Sequence, residues 1–280
     1  MSEIAYENSK GTKIILNRGH YFCSEQTLRS FKWNYTYNVL PSNRGGSVSS
    51  FYKGENGISW TIAIFGENTE IQDYVDALAN LFEYDVRVRT PGKLWIDNQY
   101  INVYVTEGQI MHMAFNKTQV VKSYTILPTN PFWCTEEKVS FSIGSGKSSS
   151  EGVKRYNNRY PYKYGTGYSS QTIYNTSEVW DTPAVITIYG AVNNPEIQIA
   201  GHRYKVNVQV LANERIVINQ IDKTIYKIGS SGTKTNIFHY RDRENDIFQY
   251  IPAGAANVVY SGDFGFDVTL MHQRSEPYWT

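Results

Sequence analysis

The residues that come nearest to a known chemical motif form a short glycine-rich run containing a lysine. Residues 144–148, Gly-Ser-Gly-Lys-Ser, follow a strand-like segment, as the phosphate-binding loop of nucleotide-binding proteins does. That loop also needs a glycine five residues before Gly146, where this chain has Phe141, and a helix that begins at the lysine. The sequence Ser-Ser-Glu-Gly follows instead. We therefore interpret the run as a solvated linker and not as a nucleotide site.

Histidine, cysteine and carboxylate residues give no catalytic or metal-binding pattern. No histidine has a second His or Cys at the i+2 or i+4 spacing of metal ligands. Cys23 and Cys134 lie outside any motif that lowers a thiol pKa, and we interpret both as small buried hydrophobic residues. A Gly-x-Ser-x-Gly sequence does not occur, and the 26 acidic residues contain no pair that the sequence alone selects for glycoside hydrolysis. The sequence predicts a non-enzymatic protein with no catalytic residue, no cofactor and no metal site. The five histidines are His20, His112, His202, His239 and His272.

Composition excludes several classes of protein. The 280 residues carry a net charge of +1, which removes the electrostatic case for a dedicated nucleic-acid or anionic-membrane binder. The polar start Met1-Ser2-Glu3-Ile4 and the lack of a long apolar run predict a soluble chain made in the cytoplasm, without membrane insertion. Tyrosine is frequent, at 23 residues, and aromatic residues favour half-buried pleated surfaces. We expect a mainly β fold.

Alternation of apolar and polar residues, the pattern of a strand with one buried face, recurs through the chain. It is found in residues 58–64, 101–105, 139–143, 186–188, 197–199, 204–210, 216–218 and 264–270.

Changes in composition divide the chain into three segments. Residues 1–145 are predicted to form an N-terminal β-barrel or β-sandwich domain that carries one helix. Residues 146–178 are rich in Gly, Ser and Tyr and are predicted to form a linker or arm, because such a stretch cannot bury a regular apolar face. Residues 179–280 are predicted to form a C-terminal β-sandwich, because short alternating runs there are separated by turn residues.

One segment, residues 69–83, has helical spacing of its apolar side chains. Thr69 and Gln72 have the spacing of a capping box at its start. We expect the apolar stripe to pack on the helix's own sheet, with only its margin reaching a neighbouring subunit. The interface candidates from this stripe are Ile71, Tyr74, Val75, Leu78 and Phe82.

Two further groups of residues are candidates for contact with another protein. A run of tyrosines in the linker offers large, stiff contact area with a polar tip. Contact with another chain is the preferred interpretation, and sugar stacking and a free solvated linker are the alternatives. Arg241 and Arg243 belong to a loop of mixed charge, 241–246, which is a solvated loop or a docking rim. The tyrosines are Tyr156, Tyr160, Tyr162, Tyr164 and Tyr168.

An ordered series of short motifs resembles the distal tail (Dit) proteins of long-tailed, siphovirus-type bacteriophages. The resemblance extends over nearly the whole chain and is tightest after Val179. In the first half it includes residues 93–97 (KLWID), the helix before them and 131–133 (PFW). In the second half it includes 194–199 (NPEIQI), 201–207 (GHRYKVN), 214–218 (ERIVI), 221–225 (IDKTI), 236–238 (NIF), 246–248 (DIF), 251–254 (IPAG), 257–258 (NV) and 274–279 (RSEPYW).

This resemblance implies a structural virion protein at the tail tip or baseplate. The first domain is expected to close into a homohexameric ring on the tail tube protein, and the second, a galectin-like sandwich, to face outward. Further expected partners are the tail-associated lysin or tail-tip protein and a receptor-binding protein, with phage DNA passing through the lumen. A close variant is the corresponding ring of another phage-derived injection machine.

Two alternatives from other classes remain open at this stage. The aromatic content and the sandwich pattern also fit a carbohydrate-binding adhesin that recognises a host cell-wall glycan. A glycosidase is the third hypothesis, and it predicts turnover of bacterial wall polysaccharide.

Overall fold

The computed structural model describes residues 2–39, 45–54, 57–67, 70–115, 118–144, 169–177 and 180–279. The chain is mainly β, as predicted, with one long helix among the described residues. It divides into two compact units. The first unit comprises Met1–Thr135 together with Gln273–Thr280, and the second comprises Glu136–His272.

The first unit contains an antiparallel sheet with a helix packed on it. Its elements are β1 (Ile4–Glu7), β2 (Lys13–Ile15), β3 (Tyr21–Cys23), β4 (Asn34–Val39), β5 (Gly46–Tyr52), β6 (Ile58–Phe65), α1 (Ile71–Val88), β7 (Gly92–Ile96), β8 (Gln99–Met113) and β9 (Gln119–Pro128). Neighbouring strands follow the order β2-β1-β7-β8-β9-β6-β3. Strands β4 and β5 pair only with each other within the described residues.

The core of the first unit follows the predicted alternation. In β6, Trp60, Ile62 and Ile64 are fully buried, and they pack with helix residues such as Leu78 in one cluster. Burial of each such side chain contributes about 1.5–3 kcal/mol relative to exposure. The helix therefore lies on its own sheet.

The helix begins later and ends later than residues 69–83. It spans Ile71–Val88, its N-cap is Glu70, and no side chain caps it there. Thr69, half of the predicted capping box, lies outside the described residues. The helix ends where Arg89 adopts a left-handed conformation with φ of 58°, two residues before Pro91. The apolar stripe does not mark this end, because the next inward position holds Asp85.

Most strands of the second unit form two antiparallel sheets, and two short strands form a separate pair. Its elements are β11 (Ser169–Asn175), β12 (Ala184–Tyr189), β13 (Val192–Asn193), β14 (Glu196–Ile199), β15 (His202–Lys205), β16 (Gln209–Val210), β17 (Arg215–Asn219), β18 (Thr224–Ile228), β19 (Lys234–Asn236), the 3-10 turn Phe238–Tyr240 and β20 (Gly254–Tyr260). Strand β10 (Trp133–Phe141) and strand β21 (Phe266–Arg274) each contain one of the two division points.

These two sheets enclose one apolar core, which is the arrangement of a β-sandwich. One sheet contains the order β19-β18-β17-β12-β21, and the other has the order β11-β20-β14-β15. Ile186 and Ile218 of the first sheet and Ile197 and Val258 of the second are all fully buried in the same cluster. The rings of Phe141 and Phe266 stack within this core, with centroids 4.5 Å apart.

The unit boundaries differ from the three sequence segments. Residues 136–144 belong to the second unit, because Phe141 is buried in its core. The described end of the 146–178 segment is also part of that unit, since β11 pairs along its whole length with β20 and buries Ile173. The last residues of the chain belong to the first unit.

Candidate functional site

The five helix candidates lie in or against the core of the first unit. Ile71, Leu78 and Phe82 are at most 4% exposed. Tyr74 and Val75 are partly buried against the same cluster, and the ring of Tyr74 stacks on His20 with centroids 4.0 Å apart. These side chains stabilise the unit, and the three buried ones present no surface to a partner.

The two arginines of the mixed-charge loop have different environments. Arg241 is half-buried, its Nη1 donates a hydrogen bond to the Phe238 carbonyl across 3.0 Å, and its guanidinium lies 3.9 Å from the Phe238 ring centroid. Arg243 is exposed. The ion pairs of this loop come from Arg203 of β15, which binds Asp242 at 2.6 Å and Glu244 at 2.8 Å. Sequence reasoning missed Arg203, because it lies 39 residues before Asp242.

The candidate tyrosines Tyr156, Tyr160, Tyr162, Tyr164 and Tyr168 lie outside the described residues. The same holds for Lys147 of the glycine-rich run.

A different part of the first unit presents an unpartnered apolar surface. Strands β4 and β5 form a two-stranded hairpin, and every residue of the two strands except Asn34 is exposed. Register pairs Tyr35 with Phe51 and Tyr37 with Val48 on one face. We call this face, Tyr35, Tyr37, Val39, Val48 and Phe51, the hairpin face; Tyr35 is 61% exposed and Phe51 65%.

The opposite side of this hairpin is polar except for Tyr52, which pairs with Asn34 and is 57% exposed. Register pairs Thr36 with Ser50 and Asn38 with Ser47, and the two hydroxyls of Thr36 and Ser50 lie 3.1 Å apart. The hairpin is therefore amphipathic, with its apolar side open to solvent in the single chain. Alternation of this kind predicts a strand with one buried face, and it is present in the sequence at residues 34–39.

A second apolar surface of the first unit lies where β8 extends beyond the core. Residues 106–113 of β8 are all exposed, although they pair with β9. Register shifts between Val105 and Glu107 and between Ile110 and His112 indicate β-bulges, which re-aim side chains along a strand. The exposed apolar residues Ile110, Met111, Met113 and Phe115 are here called the arm patch.

A cavity of about 530 Å³ in the second unit is lined about equally by polar and apolar surface. Asn193, Asn194 and Gln198 contribute amides to it. Its two aromatic residues, Tyr260 and Phe264, are each 2% exposed. Neither ring presents a face on which a sugar could stack.

The described residues contain no group of three His, Cys, Asp or Glu side chains placed to hold a metal ion. Both cysteines are free; Cys134 is buried and Cys23 is partly exposed. Burial raises the pKa of the Cys23 thiol to about 12. Within the part of the chain that the structure covers, no helix is long and apolar enough to cross a membrane.

Comparison with solved structures finds the same fold in phage tail components. The crystal structure of the Dit protein of phage SPP1, described as a paradigm of the hub adsorption apparatus in phages that infect Gram-positive bacteria, matches with a TM-score of 0.58 and 9% identity. That match covers 98% of this chain and 99% of the SPP1 chain.

Two structures of the phage P2 baseplate in its activated conformation match with a TM-score of 0.64 and 14% identity. The match to the structure with calcium covers 99% of this chain and 99% of the baseplate chain. The match to the structure with strontium covers 99% of this chain and 100% of the baseplate chain. No family model and no curated protein matches the sequence. The fold of the described residues is therefore Dit-like in both units.

Proposed function

We propose that this chain is a structural virion protein that acts as a hub at the tail tip or baseplate of a bacteriophage. The observation that carries this proposal is the match to the SPP1 Dit hub protein over nearly the full length of both chains. Two matching baseplate chains, also covered end to end, support the same role. The chain would act by offering docking surfaces and not by catalysis.

The first unit is proposed to close into a ring of six copies. The hairpin face supports self-association, because an isolated two-stranded hairpin is marginally stable in water and this one leaves five large apolar residues uncovered. The arm patch is a second, different apolar surface on the same unit. A head-to-tail contact between two different surfaces forms a ring when the rotation between copies closes. We propose that the hairpin face of one copy packs on the arm patch of the next.

The ring is proposed to join the tail tube protein on one side to the tail-associated lysin or tail-tip protein on the other. Receptor-binding components would attach at the side, and phage DNA would pass through the lumen. The second unit, with its exposed Arg243 loop, is proposed to face outward as a galectin-like sandwich.

Electron microscopy of the purified chain, together with multi-angle light scattering, tests this proposal. The expected result is a ring with the mass of six copies, alone or after addition of the tail tube protein of the same phage. Antibody labelling of intact particles should place the chain at the tail tip. A monomer under all these conditions, with no label on particles, would overturn the proposal.

The carbohydrate-binding alternative is supported by the exposed aromatic residue Trp180. Trp180 of the second unit is 75% exposed and offers a ring on which a sugar could stack. Binding of the chain to purified cell-wall glycan that is lost in Trp180→Ala would support this function. Equal binding of wild type and variant, or none by either, would remove it.

A further inference from the structure

A cavity of about 260 Å³ in the first unit combines apolar walls with two lysines. Its accessible apolar surface comes from Phe31 and Ile58, the buried side chains of Ile101 and Trp133 lie behind it, and Lys32 and Lys53 contribute ammonium groups. Its volume is slightly below the range of pockets that hold drug-sized ligands, which suits a group the size of one side chain.

Lys53 is held in this cavity by neutral neighbours. Its Nζ donates a hydrogen bond to the Ser275 carbonyl across 3.0 Å and lies 4.9 Å from the ring centroid of Phe132. Burial lowers its pKa to about 8. No acidic side chain of the described residues lines the cavity, so none of these residues supplies a carboxylate that offsets the cost of burying the ammonium group.

An ammonium group has three donors, and the Ser275 carbonyl accepts one of them. A carboxylate would accept a second and would supply the missing negative charge, as a charge-assisted hydrogen bond of roughly twice the strength of a neutral one. The apolar wall favours a carboxylate attached to an apolar body, since a small inorganic anion would leave the exposed ring of Phe31 without a contact.

We propose that this cavity binds a carboxylate carried on an apolar or aromatic group, with Lys53 as the direct ion-pair partner and Lys32 as a second cation. On the basis of the proposed hub function, the carboxylate would be an acidic side chain of a neighbouring protein in the tail tip. The binding chemistry itself belongs to the single chain and does not depend on assembly.

Chemical labelling of lysines with acetic anhydride at pH 8, read by mass spectrometry, tests the site on the isolated full-length chain. Lys53 with a pKa of about 8 is half unprotonated at this pH and should label rapidly. A bound carboxylate favours the charged form and raises the pKa. Benzoate is the probe, and it should slow labelling of Lys53 by about fivefold or more, because a one-unit rise in pKa already lowers the free amine from about half to about a tenth.

Four controls make the result specific. Benzamide has the same ring without the charge and should give no protection, and inorganic phosphate should protect less than benzoate. Labelling of the exposed Lys234 should not change under any condition. Phe31→Ala should weaken protection by benzoate, whereas Phe115→Ala, outside the cavity, should not.

Equal protection by benzoate and benzamide, or none by benzoate, would overturn the proposed carboxylate site. Equal protection by phosphate would overturn the preference for an apolar body. In assembled particles, Lys53 should be protected without added benzoate if a neighbouring protein supplies the acid. Rapid labelling of Lys53 in assembled particles, while benzoate still protects it in the isolated chain, would overturn only the proposal that a neighbouring protein supplies the carboxylate.

Discussion

The Tyr6 hydroxyl donates a hydrogen bond to Oδ2 of Asp85 across 2.7 Å, inside the core of the first unit. Both residues are fully buried, one in the first strand and the other in the last turn of the helix. The other carboxylate oxygen accepts hydrogen bonds from the backbone N–H and the hydroxyl of Ser9, both at 2.7 Å. Three donors thus satisfy a buried carboxylate and join the start of the chain to the helix.

Replacement of Tyr6 by Phe should destabilise the first unit by about 1.5–3 kcal/mol, the range for a hydrogen bond to a charged group. Burial, followed by the bond to Asp85, raises the pKa of Tyr6, so the loss should be constant through neutral and mildly alkaline pH. Urea denaturation followed by hydrogen exchange of β1 would measure it. Tyr35→Phe, on the exposed hairpin, is the control and should leave stability unchanged; an equal effect in both variants would contradict the role of this bond.

Replacement of Gly92 by Ala should disrupt the same network by steric conflict. A Cβ atom at this position would clash with Oδ2 of Asp85 and with the Tyr6 hydroxyl. Because the core is close-packed, we expect a loss of about 1–3 kcal/mol. Gly229→Ala is the matched control, since its nearest neighbouring atom would lie 3.9 Å away. Thermal unfolding of both variants distinguishes them, and a Gly92 variant as stable as the control would show that the core yields at this point.

Sequence periodicity predicted much of the fold, because most strands bury alternate residues. The alternation at residues 58–64 corresponds to β6, and the one at 264–270 to β21. The predicted end of the helix, residue 83, was wrong for a physical reason, since the helix continues to Val88. Position 85 continues the inward spacing of the stripe, but it holds a carboxylate whose partners Tyr6 and Ser9 lie more than 70 residues earlier. Periodicity of apolar residues cannot identify a buried acid.

The candidate surfaces were harder to predict than the fold. An apolar stripe predicts that one face of an element is buried against something. For the helix, that face packs on the sheet of its own unit. The hairpin face has the same alternation but is open to solvent in the single chain. A pattern of residue types is identical in the two cases, so only the structure distinguishes a core face from a face that is free to bind a partner.

Replacement of Leu78 by Asp should unfold the first unit or abolish its assembly. Leu78 is fully buried in the core cluster, and burial of an unpaired charge costs several kcal/mol or more. Ala79→Asp places the same side chain one residue later on the exposed side of the helix and should cost about 0.7 kcal/mol or less. Circular dichroism on urea titration compares the two. Equal midpoints would contradict the inward direction of Leu78.

Acid should weaken the second unit through Asp267. Burial opposes ionisation of this carboxyl group, but hydrogen bonds from Lys138 and Tyr189 outweigh burial and lower its pKa from 3.8. A lowered pKa means that the ionised group contributes stability above its unfolded pKa, and that this contribution disappears as pH falls through the folded value. Protection of β12 and β21 from hydrogen exchange should therefore fall below about pH 4. Asp267→Asn should make this dependence shallower and Asp181→Asn, at an exposed position, should not; a wild-type slope in the Asp267 variant would contradict the assignment.

Replacement of Phe51 by Asp should prevent self-association while the chain remains folded. Phe51 is 65% exposed in the single chain, so the substitution removes little folding energy, whereas a charge in a covered apolar contact disfavours binding. Loss of a central aromatic contact costs about 2 kcal/mol or more, which raises the concentration needed for assembly by more than about tenfold. Ser47→Asp places the same charge on the polar side of the same hairpin and should assemble like the wild type. Light scattering over a concentration series, with circular dichroism to verify folding, compares the two variants. Assembly of both at the wild-type concentration, or failure of both, would contradict the hairpin face as the contact between copies.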